Sequence, residues 1–292
     1  MTADSPSDVE PLRGTALGIS YELSGSATAV DRLAGLLPPA GRPGAPRLLL
    51  RAETTPAATG SVSVRTRWLD GTAPDGTAPD GTVQVATDDE AEALLAALNE
   101  TVLRWCEDLT LHAGVLLGRE GAVAFPGASG LGKTTLVTAC LRAGPPRLHL
   151  LSDEALCLTP DGHARPYPRP LALDARSCAL LGLPAPPAGR ELLLPPDAYG
   201  PLPPPGPHPV RAVLLPQRRP GPVELTRASA GEAVHALLTR SFNHFRDPAR
   251  AVRSVTAAAS GAECLHVRYE DAGALAEVLS QRYGCLAGAA LR

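Results

Sequence analysis

Hydrophobic positions along the chain alternate between short continuous runs and a helical spacing, and the alternation divides it in two. From Ala16 to Val64 the runs Leu17 to Tyr21, Leu48 to Leu50 and Val62 to Val64 are separated by Gly and Pro. That pattern predicts short strands in a small β-rich or α+β accessory module. Residues 1–13, rich in Ser, Pro and Asp, predict a disordered lead-in, and Asp70 to Thr82 repeats D-G-T-A-P, an exposed low-complexity loop with nothing to pack. Thr87-Asp88-Asp89-Glu90 reads as a capping box. It precedes Ala91, Leu94, Leu95, Leu98, Val102 and Trp105 at helical spacing, a helix that should end near Cys106. The module is therefore expected over residues 14–108 and a second domain over 109–292.

In that second part Leu111 to Leu117 and Ala122 to Phe125 are apolar runs joined by Gly118-Arg119-Glu120-Gly121, which predicts a strand pair with a tight turn. The second strand runs through Pro126 into Gly127-Ala128-Ser129-Gly130-Leu131-Gly132-Lys133-Thr134. A helix from Lys133 to about Arg142 follows and is stopped by Gly144 and two prolines. Leu148 to Leu151 is the next strand and carries Ser152-Asp153-Glu154 at its C-terminal end, on the edge of an open parallel sheet where the glycine loop also lies. A short helix is expected over Ala175 to Leu181. Between Pro184 and Pro209 stand 11 prolines in 26 residues, which predicts an extended loop. Strands at Val210 to Leu215 and Val223 to Thr226 follow. Ser229 to Glu232 is a capping box ahead of a helix over Val234 to Phe242, and Asp247-Pro248 opens another. A strand from Cys264 to Tyr269 and a helix from Asp271 to about Arg282 close an α/β domain.

Composition narrows the partners. The formal net charge is -3 and no basic run exists, which argues against a nucleic-acid partner held by phosphate neutralisation. The six cysteines form no C-x-x-C pair and read as buried reduced thiols of a cytosolic protein. Met1 to Leu12 holds no apolar core of a leader, and no later run is long enough to cross a bilayer, so a cytoplasmic protein without a membrane partner is expected. Lys and Arg together number 27, yet the chain has a single lysine, Lys133. In a chain this biased towards Arg, a surviving compact ammonium suits a site that a planar guanidinium cannot fill.

That site is the stretch Gly127 to Thr134, which matches the phosphate-cradling pattern G-x-x-x-x-G-K-[ST] between a strand and a helix. Glycines let backbone N–H groups converge on phosphates, and the helix N-terminus adds partial positive charge. Gly127, Ser129, Gly130, Gly132, Lys133, Thr134 and Thr135 are the expected nucleotide-binding residues, with ATP and Mg2+ as cofactors. Lys133 would bridge the β- and γ-phosphates and Thr134 would offer its hydroxyl to Mg2+. Neither a GTPase N-K-x-D nor the L-S-G-G-Q of transporter ATPases occurs. Asp153 and Glu154 stand at a strand end where chemistry would need them, with a capping residue and a solvated neighbour as the plain readings, and His112 in its apolar strand reads plainly as a hydrogen-bonded core histidine. Arg165 and Arg169 are candidates to clamp the acceptor or a phosphate.

Leu111-His112-Ala113-Gly114 ahead of the loop, the loop itself and Asp153-Glu154 on the next strand together resemble the HPr kinase/phosphorylase family and its smaller relatives, over roughly Leu111 to Leu181. The resemblance implies a P-loop nucleotide-binding kinase domain of the HPr kinase type that phosphorylates a hydroxyl, usually a serine, on a peptide or small protein. It makes Asp153 the catalytic acid/base, Glu154 a metal-side carboxylate, and His112 the histidine near the γ-phosphate. Members of the family often form oligomers, so a homo-oligomer is expected. In two respects the sequence departs from the family: Glu154 stands where the family has a second Asp, and its glycine-rich C-terminal signature is missing. In place of that signature, Arg165 to Leu171 resembles small relatives from biosynthetic clusters for modified peptides. A small-molecule hydroxyl kinase and a non-catalytic nucleotide-binding regulator are the alternatives.

Overall fold

The computed structural model describes residues 9–38, 45–53, 61–69, 81–128, 130–144 and 147–285. The chain divides into two compact units, Met1–Glu107 and Asp108–Arg292, each mixed α/β. Most of the D-G-T-A-P repeat and of the lead-in lies outside the described residues.

The first unit runs β1 (Leu12–Ala16), β2 (Ile19–Ser24), α1 (Ala27–Leu36), β3 (Leu48–Glu53), β4 (Val62–Trp68), β5 (Gly81–Val85) and α2 (Glu90–Trp105). The five strands form one sheet in sequence order, antiparallel except for the β2–β3 pair. Burial alternates with the pleat: Ile19, Tyr21 and Leu23 on β2 and Val62, Val64 and Trp68 on β4 point inward, while their neighbours are more exposed. The expected strand over Leu17 to Tyr21 is in fact a turn at Leu17-Gly18 followed by β2, and Leu17 itself has φ +49°. Helix α1 lies between runs read as strands, in a module expected to be β-rich or α+β; Ser26 caps it, accepting from Ala29 N–H, and Ala29, Val30, Leu33 and Leu36 bury one face. The first strand begins inside the expected lead-in, and Gly81 and Thr82 at the end of the repeat belong to β5. Helix α2 is capped by Asp89, which accepts from Ala91 and Glu92 N–H, and Thr87 instead bonds the Glu92 carboxylate.

The second unit continues with β6 (Leu109–Gly118), β7 (Gly121–Pro126), α3 (Lys133–Arg142), β8 (His149–Ser152), β9 (Ala155–Leu158), β10 (His163–Arg165), β11 (Leu171–Leu173), α4 (Ala175–Leu181) and β12 (Leu192–Leu194). It ends with β13 (His208–Arg218), β14 (Glu224–Arg227), α5 (Ala230–Leu238), a 3-10 turn at His244–Arg246, α6 (Pro248–Gly261), β15 (Glu263–Tyr269) and α7 (Ala272–Tyr283). The main sheet has the order β10-β9-β6-β7-β13-β15-β14, with β8 also on β6, and it curls until β10 meets β13. Strands β7, β13 and β15 are parallel, but β6 is antiparallel to β7, so the expected open parallel sheet is a mixed one. Both faces are covered. One core packs α3 and α7 on the sheet around Phe125, Leu136, Leu214 and Leu275; the other packs α5 and α6 around Val115, Leu156, Val213 and Val255. Burial on both sides explains why β6 and β7 read as unbroken apolar runs. Helix α5 ends at Leu238, four residues short of the expected Phe242, because residues 240–242 leave the helix to bond β6. The proline-rich stretch holds the short strand β12, paired with β11, and its last two residues open β13.

Among the described residues no helix is long and apolar enough to cross a membrane.

Candidate active site

The glycine loop joins the buried strand β7 to α3. Gly130 and Gly132 both adopt φ +77°, a left-handed conformation that a side chain would strain, and Gly132 is the N-cap of α3. The chain therefore turns sharply enough to aim the first amides of α3 into the loop. Lys133, the first residue of the helix, is only 7% exposed, and its Nζ donates to the Ala128 carbonyl at 2.8 Å across the loop. Ser129 lies outside the described residues. Thr135, the second threonine, has its hydroxyl 2.8 Å from that of Ser177 on α4, so its side chain is spent on packing rather than turned to the loop.

Asp153 and Glu154 reach the loop by an unexpected route. Strands β8 and β9 are two stretches of one line running antiparallel to β6, paired at Val115↔Ser152 and at His112↔Ala155. Asp153 and Glu154 sit between those pairs, opposite Ala113 and Gly114, and Ala113 N–H donates to the Glu154 carbonyl at 3.3 Å. Gly114 is what lets the helix come down on this spot. A Cβ there would stand 2.7 Å from Val137 Cγ2 and 3.8 Å from Lys133 Cβ. The carboxylates are thus next to the loop because β6 separates them from β7 by a single strand. They do not follow a parallel neighbour of β7.

The charges at this point are buried and interact. Asp153 is 8% exposed, and its Oδ1 is a buried atom without a hydrogen-bond partner. Burial pushes its carboxyl up to about 7; a hydrogen bond with Thr134 and the charges of Lys133 and Arg169 pull it down, and Glu154 opposes them. Burial also lowers Lys133, against the attraction of Asp153 and Glu154. His112 is lowered by burial first and then by the positive charge of Lys133, which keeps its imidazole neutral at pH 7. Its backbone ties the neighbourhood together: Gly127 N–H donates to the His112 carbonyl at 3.3 Å, and His112 N–H donates to the Arg240 carbonyl at 2.7 Å.

The two arginine candidates separate. Arg169, 9% exposed, acts on Asp153 and lies with its guanidinium 6.0 Å from the Tyr167 ring centroid, on a segment that Tyr167 N–H fastens to the Leu151 carbonyl at 3.0 Å. Arg165 instead donates to the Asp108 carboxylate at 2.5 Å, an ion pair that commits it elsewhere. Arg240 joins the site from a different part of the chain. Where β7 departs to form the loop, residues 240–243 take its place along β6: Phe242 N–H bonds the Thr110 carbonyl at 2.9 Å, and the buried Asn243 side chain holds Thr110 N–H and the Asp108 carbonyl. This carries the exposed Arg240 close enough to act on both Lys133 and His112, and sets the Phe242 ring 5.7 Å from that of His112. Nothing in the sequence marks Arg240 among 26 arginines. Gly114 did leave a signal, a glycine inside an apolar strand.

The oxygen donors at this point, Asp153, Glu154 and the Thr134 hydroxyl, suit a hard cation such as Mg2+, which is held by one or two carboxylates together with substrate phosphates. The unpartnered Asp153 Oδ1 fits that role. Among the described residues no group of three or more His, Cys, Asp and Glu could hold a metal by itself. The arrangement can cradle a polyphosphate, compensate its charge and present a carboxylate to a proton. In comparisons with known proteins, no family model and no curated protein matches the chain.

Proposed function

We propose that the second unit is a P-loop kinase domain of the HPr kinase type. In this reading it transfers the γ-phosphoryl group of Mg-ATP to a serine or similar hydroxyl of a peptide or small protein, in the biosynthesis of a modified peptide or natural product. The observation that carries the reading is the convergence of Lys133, the Thr134 hydroxyl and the buried, half-partnered Asp153 at the mouth of a glycine loop. A purely structural carboxylate buried to this degree would be expected to satisfy both oxygens.

Phosphoryl transfer through a loose transition state asks mostly for positioning and charge compensation. Lys133 exchanges its bond to the Ala128 carbonyl for the β- and γ-phosphate oxygens. Thr134 and Glu154 would hold Mg2+, which would supply further positive charge to those oxygens. Asp153 orients the acceptor hydroxyl and takes its proton as the new O–P bond forms and the bond to the departing ADP oxygen breaks. Burial makes this carboxyl a better proton acceptor than an ordinary Asp, which suits it to that exchange. Neutral His112 donates to a γ-phosphate oxygen, and Arg169 and Arg240 add charge on either side. The six cysteines are all buried thiols, in keeping with a reducing, cytoplasmic setting.

The test is incubation with Mg-ATP and candidate peptides, read by mass spectrometry. A single phosphoryl gain on a hydroxyl side chain is expected, with ADP formed in equal amount. Nucleotide binding without ADP formation for any peptide or small hydroxyl compound would replace the kinase by a nucleotide-binding regulator.

A further inference from the structure

The glycine loop can hold only the phosphates of a nucleotide; the rest of the molecule needs a place of its own. Along the main sheet the loop has two flanks. Asp153, Glu154 and His112 lie on the β6 side, while on the other side the parallel strands β13 and β15 end at Arg218 and Tyr269. Crevices outside the carboxyl ends of such strands are where α/β sheets seat their ligands. On that second side a cavity of about 530 Å³ begins at Leu131, Gly132 and Thr135 and runs along α3 between α4 and α7. The size falls within the roughly 300–1,000 Å³ common for small-molecule sites.

Its walls are held in place. Asp174 caps α4 by accepting from Ser177 N–H at 2.7 Å, and the Ser177–Thr135 hydrogen bond fastens that end of α4 to the first turn of α3. Arg142 at the other end of α3 donates to the Leu181 carbonyl. The result is an apolar rim: Leu131 and Leu180 line the cavity and are 50% and 53% exposed, in a protein whose other large apolar side chains are mostly buried. Beyond the rim the lining turns polar, with the guanidinium of Arg218 and the carboxylates of Asp271 and Glu277.

Resting on the reading of the loop as a nucleotide cradle, we infer that this cavity seats the nucleoside of the bound nucleotide. The flat base lies against Leu131 and Leu180, and the ribose and base edges meet Arg218, Asp271 and Glu277. The triphosphate then crosses the loop mouth and presents its γ-phosphate to Asp153. Because the rim grips the face of the base by apolar contact, a purine is favoured for its area over a pyrimidine.

The test compares binding of ATP with binding of inorganic tripolyphosphate, a probe that carries the phosphates and nothing else. Leu180→Asp should weaken ATP by about tenfold or more, the size expected when one buried leucine contact is replaced by a carboxylate, and leave tripolyphosphate within about twofold. Leu180→Met should keep ATP affinity, and unchanged thermal unfolding of both variants would confirm that they fold. ATP binding unaffected by Leu180→Asp, or a loss shared equally by tripolyphosphate, would overturn the nucleoside seat. In either case tripolyphosphate binding that still requires Lys133 would leave the reading of the loop standing. If Lys133→Ala alters the binding of neither probe, the loop is not a phosphate cradle, and both conclusions fall together.

Discussion

The main sheets of the two units treat charge differently. In the first unit the pleat alternates, so polar side chains reach solvent and pair there: Arg13 with Glu22 at 2.9 Å, Arg65 with Glu53 at 3.0 Å. In the second unit the middle of the sheet is covered on both faces, and its exposed pairs stand at the edge, as between Arg268 and Glu224 at 2.9 Å. Yet Lys133, Asp153 and Arg169 are all less than a tenth exposed and lie around one point. Removing charge from water is costly unless partners replace the lost solvation, and here the replacement is incomplete, since Asp153 keeps an oxygen free.

The largest effect should come from Lys133→Ala. Turnover with Mg-ATP and a competent acceptor should fall at least about a hundredfold, comparable to deleting a preorganised donor to transition-state charge. Retention of full turnover would mean that the buried charges of the second unit serve folding alone. Asp153→Asn sharpens the contrast without any substrate. Between its ordinary value near 3.8 and the folded value of about 7, the folded chain holds a proton that the unfolded chain has released. Stability from this group therefore falls as pH rises through that window, and the full penalty stands above it. In protein free of nucleotide and magnesium, the Asn variant should be more stable than wild type at pH 8 by on the order of 1–4 kcal/mol, with the gap closing towards pH 4. Denaturant titration at the two pH values measures it, and a gap that does not change with pH would show that Asp153 is not buried as a charge. Gly114→Ala should come next: its Cβ would meet the stiff, buried Val137 at 2.7 Å, so overpacking should destabilise by about 1–3 kcal/mol and weaken ATP binding by pushing α3 off β6.

What the sequence discloses about this site depends on whether its parts are contiguous. The loop and α3 are legible because glycine geometry, helix start and phosphate chemistry all fall within fifteen residues. Asp153 is legible as a residue at the loop's edge but not in its route there: β8 runs parallel to β7 as expected, yet across the intervening β6, to which both are antiparallel. Arg240 and Arg169 reach the site through long-range pairing, of residues 240–242 with β6 and of Tyr167 with Leu151, which no local pattern encodes. Arg165 shows the reverse failure, since nothing near it in sequence announces a partner 57 residues earlier. Helix α1 stands among glycines and prolines that make the short apolar runs around it read as strands, although Ser26 and the spacing of Val30 and Leu33 are those of an ordinary capped helix.

The smallest effect tests the other half of the comparison. Arg65 lies on the solvent side of β4, its side chain 61% exposed, paired with a Glu53 that is itself 37% exposed. Two such side chains gain little by meeting, because water screens the attraction and holding both rotamers costs entropy. Arg65 also stands directly opposite Arg51 in the β3–β4 ladder, so the substitution removes a like-charge neighbour together with a salt bridge. Arg65→Ala should therefore shift unfolding free energy by less than about 0.5 kcal/mol in either direction, with little dependence on salt. A loss of 2 kcal/mol or more in denaturant titration would show that surface charge in the first unit carries structure after all, and that degree of burial does not distinguish the charges of its sheet from those around Asp153.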